Sequence, residues 1–408
     1  MNIHSRIIKM LLFTVSAPLL VSSCIDETDD NVNDNIAVAF VNQLPDGIST
    51  IKSAEIRLTE LNTGNVYRLD PFSEELGTLP LGIYDYEGTI IVESLDETTG
   101  STIEKTLRVT GNSVTISSPL SLRLEWFYSN PGGTLVFSEI YATGSPNATA
   151  TGGIRDSYFR IYNNTDQTIY ADGLGIAESA FVNAKSTTYE ILTEANNRQN
   201  NFTAATIWVI PGSGTDVPIR PGESLKIVDQ AIDWSSQVTG AFDHTDADFE
   251  WYDDNAQDTD SPLVPNLSKW YCYSNTIWIM SNQCNRSYAL VRFPEGLTAE
   301  EYLSQYHGGY DYISTIGTQM HNDRAYLIPN AWIIDGVNLG NSETYIYGAL
   351  GNCIDISYAC ISDRNSDPNR FGRIFKRKTA TKTSDGMVIL QDTNDSKADF
   401  IVVSSQAE

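Results

Sequence analysis

From Ile36 to about Phe127 apolar and polar positions alternate in short runs separated by turn residues. Ile36 to Val41, Ala54 to Thr59, Val66 to Leu69, Tyr84 to Glu93 and Glu104 to Val109 each carry a period of two, so each reads as a strand with one buried face. Their spacing predicts a small β-sandwich. Ala54, Ile56 and Leu58 point inward along one such run, which then breaks at Asn62-Thr63-Gly64 into a turn. Pro131-Gly132-Gly133 marks a boundary. Beyond it, Gly133 to Tyr141 and Asp156 to Ile176 open a second β pattern, so the fold class expected for the whole chain is all-β. One helix is predicted, where Thr298 and Glu301 form a capping box after Pro294 and Gly296. Tyr302, Leu303 and Tyr306 lie on one face of it, and His307-Gly308-Gly309 ends it.

The first residues follow a different rule. Arg6 and Lys9 precede an apolar run from Met10 to Val21, too short to span a bilayer but fitted to the core of a signal peptide. Leu20-Val21-Ser22-Ser23-Cys24 resembles a bacterial lipobox, which implies cleavage before Cys24, acylation of that cysteine and a membrane anchored through acyl chains. Ile25 to Asn35 is polar and acidic and reads as a tether. Acids directly behind the lipidated cysteine also resemble the export signal some Gram-negative lineages use, which implies an outer-membrane lipoprotein facing the exterior; a periplasm-facing anchor is the alternative. The expected organisation is a signal peptide over 1–23, a tether over 24–35, a small sandwich over 36–130 and a larger one over 131–408.

Charge narrows the partners. The chain has 52 Asp and Glu against 26 Lys and Arg, a formal net charge of −26, and removing residues 1–23 takes two basic and no acidic residues, giving −28. Nucleic acid is excluded as a partner, because affinity for phosphate backbones needs clustered cations. The 7 Trp, 21 Tyr and 14 Phe rule out a disordered acidic chain.

Three family resemblances follow from particular residues. Leu79-Pro80-Leu81-Gly82-Ile83-Tyr84 is similar to the strand entry of prealbumin-like modules of secreted bacterial proteins, which implies a spacer or stalk. Val136-Phe137-Ser138-Glu139-Ile140, Arg160-Ile161-Tyr162-Asn163-Asn164-Thr165-Asp166, Ile219-Arg220-Pro221-Gly222-Glu223 and Ile333-Ile334-Asp335 resemble the lamin-tail domain, an immunoglobulin-like sandwich. The end of the chain, Asp392-Thr393-Asn394-Asp395-Ser396-Lys397-Ala398-Asp399-Phe400, resembles that of an uncharacterised outer-membrane lipoprotein family built on this sandwich. Long insertions near 177–206 and 229–312 depart from the plain pattern.

Candidate chemistry concentrates in the second insertion. Four cysteines follow Cys24, and an even number outside the cytoplasm favours disulfides, most simply Cys272 with Cys284 and Cys353 with Cys360. Asp243, Asp246 and Asp248 supply the hard oxygens calcium takes, though no EF-hand glycine accompanies them, and a solvated acidic loop is the rival reading. No other cofactor is implied. Trp251, Tyr252, Asp253, Asp254, His307 and Tyr310 are the candidate ligand-binding residues, since aromatic and acidic loop tips exceed what a scaffold needs. Arg364, Arg370, Arg373, Lys376, Arg377, Lys378 and Lys382 form the basic concentration, expected to neutralise nearby carboxylates across a sheet, with docking of an anionic glycan as the alternative. No nucleophile elbow, zinc-protease pair or phosphate loop is present. The chain therefore reads as a non-catalytic surface binding protein whose partner is a glycan or an outer-membrane nutrient-import receptor; the alternative is a glycan hydrolase using carboxylates of the 243–260 region.

Overall fold

The computed structural model describes residues 35–44, 48–95, 102–128, 135–147, 149, 152–183, 198, 200–254, 258–313, 317–345, 348–384 and 386–405. Cys24 and the stretches before Asn35 lie outside them.

Eight strands come first: β1 (Ile36–Gln43), β2 (Ile48–Glu60), β3 (Val66–Leu69), β4 (Gly77–Leu79), β5 (Gly82–Leu95), β6 (Thr102–Ile116), β7 (Leu120–Glu125) and β8 (Phe127–Tyr128). They form a three-stranded sheet, β4-β1-β7, and a five-stranded sheet, β3-β2-β5-β6-β8. Between the sheets lie Val38, Ile56, Leu58, Tyr84, Ile90, Leu107, Leu124 and Trp126, the residues whose period-two placement marks them as inward. The indole N–H of Trp126 donates to Asn42 Oδ1 at 2.7 Å, which removes the cost of burying a polar edge. The β2–β3 turn is the one read from Asn62-Thr63-Gly64. Gly64 sits at φ +73, a left-handed position glycine adopts without a Cβ penalty.

The larger body continues with β9 (Leu135–Tyr141), β10 (Tyr158–Asn163), β11 (Ile169–Tyr170), β12 (Leu174–Ser179), β13 (Asn201–Val209), β14 (Pro218–Ile219), β15 (Ser224–Val228), β16 (Phe249–Glu250), β17 (Ser268–Cys272) and β18 (Ser287–Arg292). After helix α1 (Ala299–Gln305) come β19 (Tyr310–Ile313), β20 (Gln319–Asn322), β21 (Tyr326–Pro329), β22 (Ile333–Gly340), β23 (Ala359–Cys360), β24 (Arg373–Arg377), β25 (Thr379–Lys382) and β26 (Val388–Leu390). Helix α2 (Ser396–Asp399) and β27 (Phe400–Ser404) finish it. One sheet runs β16-β15-β10-β9-β24-β27; the other runs β17-β13-β12-β18-β22-β23, with β21 also on β13. Phe137, Ile140, Phe159 and Ile161 of the first sheet meet Ile176, Trp208, Tyr288, Leu290 and Val337 of the second in one core. The architecture is all-β, as the pattern predicts.

Both sheets are also covered on their outer faces. Ala177, Ile207, Val209, Ala289 and Val291 turn away from the central core and pack under Tyr302 of α1, Ala325, Ile328 and Leu350. On the far side, Tyr141, Tyr158, Val228 and Ile374 are covered by Ala231, Phe242, Ala247 and Val264. Strands buried on two faces read as continuous apolar runs, and Ser-Tyr-Ala-Leu-Val-Arg of β18 is one. Helix α1 has the capping box read from the sequence: Thr298 Oγ1 accepts Glu301 N at 3.2 Å, and Glu301 Oε2 accepts Thr298 N at 2.9 Å.

The chain's end is locked by a buried cation. Arg377 Nη2 donates to both oxygens of Asp335, at 2.8 and 2.7 Å, Nη1 reaches Asp392 at 3.1 Å and Asp399 at 3.6 Å, and Nε donates to the Phe137 carbonyl at 2.8 Å. Asp335 in turn accepts Phe137 N at 2.6 Å. The Asp392-to-Phe400 motif is therefore structural: its Asp395 caps α2 through Ala398 N at 3.1 Å, and Ser396 N donates to buried Asp355 at 2.8 Å. Burial pushes the Asp355 carboxyl up to about 8, against the four donors that hold it. The other members of the basic concentration behave as expected in part: Lys376 pairs with Glu139 at 3.3 Å across β24 and β9.

Candidate functional site

The second insertion, expected to carry ligand contacts, is largely architecture. Trp251 is 1% exposed and stacks edge-on against Trp278 and beside Phe159 within the central core. It fills the core and has no free face, which removes it from the binding candidates. Asp253 is buried as well; its carboxylate accepts Trp278 N at 3.0 Å and pairs with Lys269. Tyr252 is half-buried, while Asp254 and His307 are exposed. His307 Nε2 lies 2.7 Å from the Asp323 carbonyl, and its ring packs edge-on against Tyr326. The side chain of Tyr310 lies outside what the structure describes. Of these residues, the described ones do not line the groove formed at one end of the second sheet.

A lysine stands among the acids of the calcium reading. Lys226 Nζ binds Asp246 Oδ1 at 2.7 Å and the Asp243 carbonyl at 3.2 Å, and Lys226 N donates to Asp248 Oδ2 at 2.7 Å. The Asp243 carboxylate turns back on Thr245 N at 2.9 Å. The ammonium is shared between the Asp246 carboxylate and the Asp243 carbonyl, and among the described residues no group of three His, Cys, Asp or Glu could hold a metal. Further along, Glu250 accepts Ala231 N and Ser261 N, at 2.8 and 2.6 Å, and Asp258 pairs with Arg155 at 2.9 Å. The acids of 243–260 are thus dispersed among local supports.

Cys272, Cys284, Cys353 and Cys360 are free thiols, which corrects the expected disulfides. Cys272 lies on edge strand β17, with Thr206 Oγ1 3.8 Å from its sulfur, whereas Cys284 is sealed in the central core at a turn with φ +49. Cys353 sits beside Asn330 Nδ2 at 3.6 Å, packed on the outer-face cluster, and exposed Cys360 bonds the Ser362 carbonyl at 3.3 Å. Cys272 and Cys284 both adjoin the central core, whereas Cys353 packs on the outer-face cluster and Cys360 is exposed. Burial raises the Cys284 thiol above its ordinary range and Cys353 to about 11. A water-soluble aromatic disulfide reagent should therefore label Cys360 in the native protein and reach Cys284 only on unfolding. A Cys272–Cys284 bridged peptide in a non-reducing map would overturn this placement.

What the fold does assemble is a groove of about 620 Å³ at one end of the second sheet, where three connections meet. Asp172-Gly173 enters β12, Gly212-Ser213-Gly214 leaves β13, and Phe293-Pro294-Glu295-Gly296-Leu297 leaves β18. Trp270 of β17 lines it, half-buried, with its ring 4.5 Å from that of Phe293. Asp172 holds the second connection by accepting Gly214 N, Asp216 N and Val217 N at 2.9 to 3.0 Å, hydrogen bonds that keep its carboxyl below the usual range against the opposing effect of burial, the largest single influence on it. Gly212 is required there, because a Cβ would stand 2.0 Å from Asp172 Oδ1. Arg292 also lines the groove. Its Nη1 and Nη2 donate to the carbonyls of Asp172 and Tyr170, at 2.8 and 3.1 Å, and no carboxylate pairs with it among the described residues. An Arg carries five N–H donors, so donors remain for a ligand.

Known proteins offer a likeness over part of the chain. Residues 220–406 match the model described as "Protein of unknown function (DUF4876)". The chain is also similar to the crystal structure of a DUF4876 family protein from Bacteroides thetaiotaomicron VPI-5482, at 21% identity and a TM-score of 0.55, over 90% of this chain and 94% of that one. No curated protein matches it. The likeness establishes a shared fold, and the terminal motif that resembles an uncharacterised family lies inside the matched segment.

Of the groove residues, Trp270 stands in an aromatic-rich stretch of the sequence, and Pro211-Gly212-Ser213-Gly214 reads as a strand-connecting turn. Arg292 and Asp172 are new. Turn chemistry at Gly212-Ser213-Gly214 and at Pro294-Glu295-Gly296 was the available signal; nothing in the sequence says that these turns meet.

Proposed function

We propose that the protein is a non-catalytic binding protein, anchored to the outer membrane through acylated Cys24 and facing the exterior, that takes a neutral glycan in the groove beside Trp270. The observation that supports this is a half-buried indole lining one groove with an Arg292 guanidinium that no carboxylate among the described residues pairs with. Sugars present apolar C–H faces that stack on aromatic rings and hydroxyls that accept from and donate to fixed polar groups. Glu295 on the same rim supplies an acceptor, and the acidic chain as a whole disfavours an anionic ligand.

The test is affinity electrophoresis of the native protein in gels containing soluble polysaccharides. Retardation by at least one polysaccharide is expected, with Trp270→Ala and Arg292→Ala each weakening it at least tenfold while Trp251 is left in place. No reducing ends should appear during prolonged incubation. Release of reducing ends would favour a hydrolase, and unchanged retardation in both variants would sink the groove.

A further inference from the structure

The small sandwich carries an apolar tip that the described residues leave about half exposed, next to the cleft where Ile356 and Asp395 of the larger body approach Thr59 and Asp85. Leu61, Val66, Leu81 and Ile83 are 48, 48, 52 and 39% exposed. Register places them side by side: Leu61 N donates to the Ile83 carbonyl at 2.8 Å, Thr59 pairs with Val66, and Leu81 lies two residues before Ile83 on the same face. Inward positions of these strands are taken by Leu58, Glu60 and Tyr84, so the four side chains stand together on the outer face of β3, β2 and β5, at one end. Elsewhere that face is charged and paired, as by Arg57 with Glu87 and Arg68 with Glu55. The apolar cluster is confined to the tip.

The same end is where the chain enters. Ile36, the first residue of β1, pairs with Leu79, and Leu79-Pro80-Leu81 crosses from one sheet to the other at that point. Pro80 is fixed there by Tyr84, whose hydroxyl donates to the Pro80 carbonyl at 2.9 Å. Cys24 lies eleven residues before Asn35, a reach of at most ~40 Å. An exposed apolar patch beside the attachment point of a short anchor faces one surface above all others.

We propose that Leu61, Val66, Leu81 and Ile83 form a membrane-docking tip that inserts shallowly into the lipid headgroup region and holds the small sandwich end-on against the bilayer. The proposal rests on the acylated-anchor reading given above. Apolar residues ringed by polar ones suit such shallow insertion, and the occupant is lipid because the chain's own anchor delivers it there. Aliphatic side chains without cations imply a neutral headgroup surface, since nothing in the patch would recruit anionic lipid.

The experiment uses the mature full-length chain carrying Cys24→Ala, so that acyl chains cannot contribute, floated with vesicles of phosphatidylethanolamine and phosphatidylcholine. Binding is expected, and a variant with Leu61→Asn, Val66→Thr, Leu81→Asn and Ile83→Thr should bind at least tenfold more weakly with an unchanged melting temperature. Absence of binding, or equal binding by both proteins, overturns the proposal. So does a dimer seen by sedimentation equilibrium that these substitutions dissolve without changing vesicle binding, which would assign the tip to a second copy. The mass of the amino-terminal peptide of protein taken from membranes is read separately. An unmodified Cys24 together with tip-dependent vesicle binding would overturn the anchor and leave the tip standing.

Discussion

Replacing Arg377 with alanine should destabilise the protein by about 3–5 kcal/mol, the cost of leaving buried charges without their partner. Asp335, Asp392 and Asp399 all contact that one guanidinium, and Asp335 and Asp399 are buried. Urea denaturation at neutral pH would measure the loss. Its pH dependence carries a sign. Burial pushes the Asp335 carboxyl above its ordinary range, and Arg377 opposes that push; without it the folded-state value rises further above the unfolded one. A group raised in the folded state is harmless below its unfolded value and costs stability as pH rises through its folded one. The deficit of Arg377→Ala should therefore be larger at pH 7.5 than at pH 4.5. An equal deficit at both would mean that lost packing over Phe400, whose ring lies 4.7 Å from the guanidinium, dominates instead.

The second large effect belongs to His244, which is fully buried under Phe242 and Tyr158. Its Nε2 lies 2.9 Å from the Asp156 carbonyl and its Nδ1 has no partner among the described residues, so a second ring proton would find no acceptor among them. Burial lowers its pKa from 6.5 to about 4, the bond to Asp156 opposes the shift, and the charge of Lys226 adds to it. A histidine lowered on folding binds protons in the unfolded state first, so stability falls as pH drops from about 6.5 towards 4. The difference of about 2.5 units corresponds to about 3 kcal/mol at the acid end, at roughly 1.4 kcal/mol per unit. His244→Phe keeps the ring packing and removes the titration. Subtracting its stability curve from that of the native protein should leave a slope confined to this window, and a flat difference would show that the imidazole is free to protonate in place.

Particular residues show how far the sequence could be read. Val66–Leu69 is a strand with the bounds its alternation predicts, and α1 begins at the capping box of Thr298 and Glu301. Both signals are local, set by neighbours within a few positions. The roles of Trp251 and Asp253 were hidden because Asp253-Asp254 and the acids before them look like a solvated loop. What buries them is a set of distant donors, Lys269 and Trp278 among them. The same distance hid the calcium answer, since Lys226 lies 20 residues before Asp246. The premise that insertions exceed the needs of a scaffold fails where a sheet is apolar on both sides. Phe242, Val264 and Tyr302 are the cover that such sheets require. The groove escaped for a related reason: Asp172, Gly212 and Arg292 become neighbours only when β12, β13 and β18 are laid side by side.

The lock around Arg377 also dictates when this molecule can become itself during synthesis. Its guanidinium holds the carbonyl of Phe137, 240 positions earlier, and the strand beside β24 is the last in the chain. Contacts of such separation close slowly, because most of the intervening chain must be gathered first. Until Asp399 and β27 have emerged, β24 lacks an edge partner and Asp335 waits beside an incomplete set of charges. The growing chain is thereby kept from finishing its larger body early, and the two ends of that body must be gathered before the sheet they share is complete.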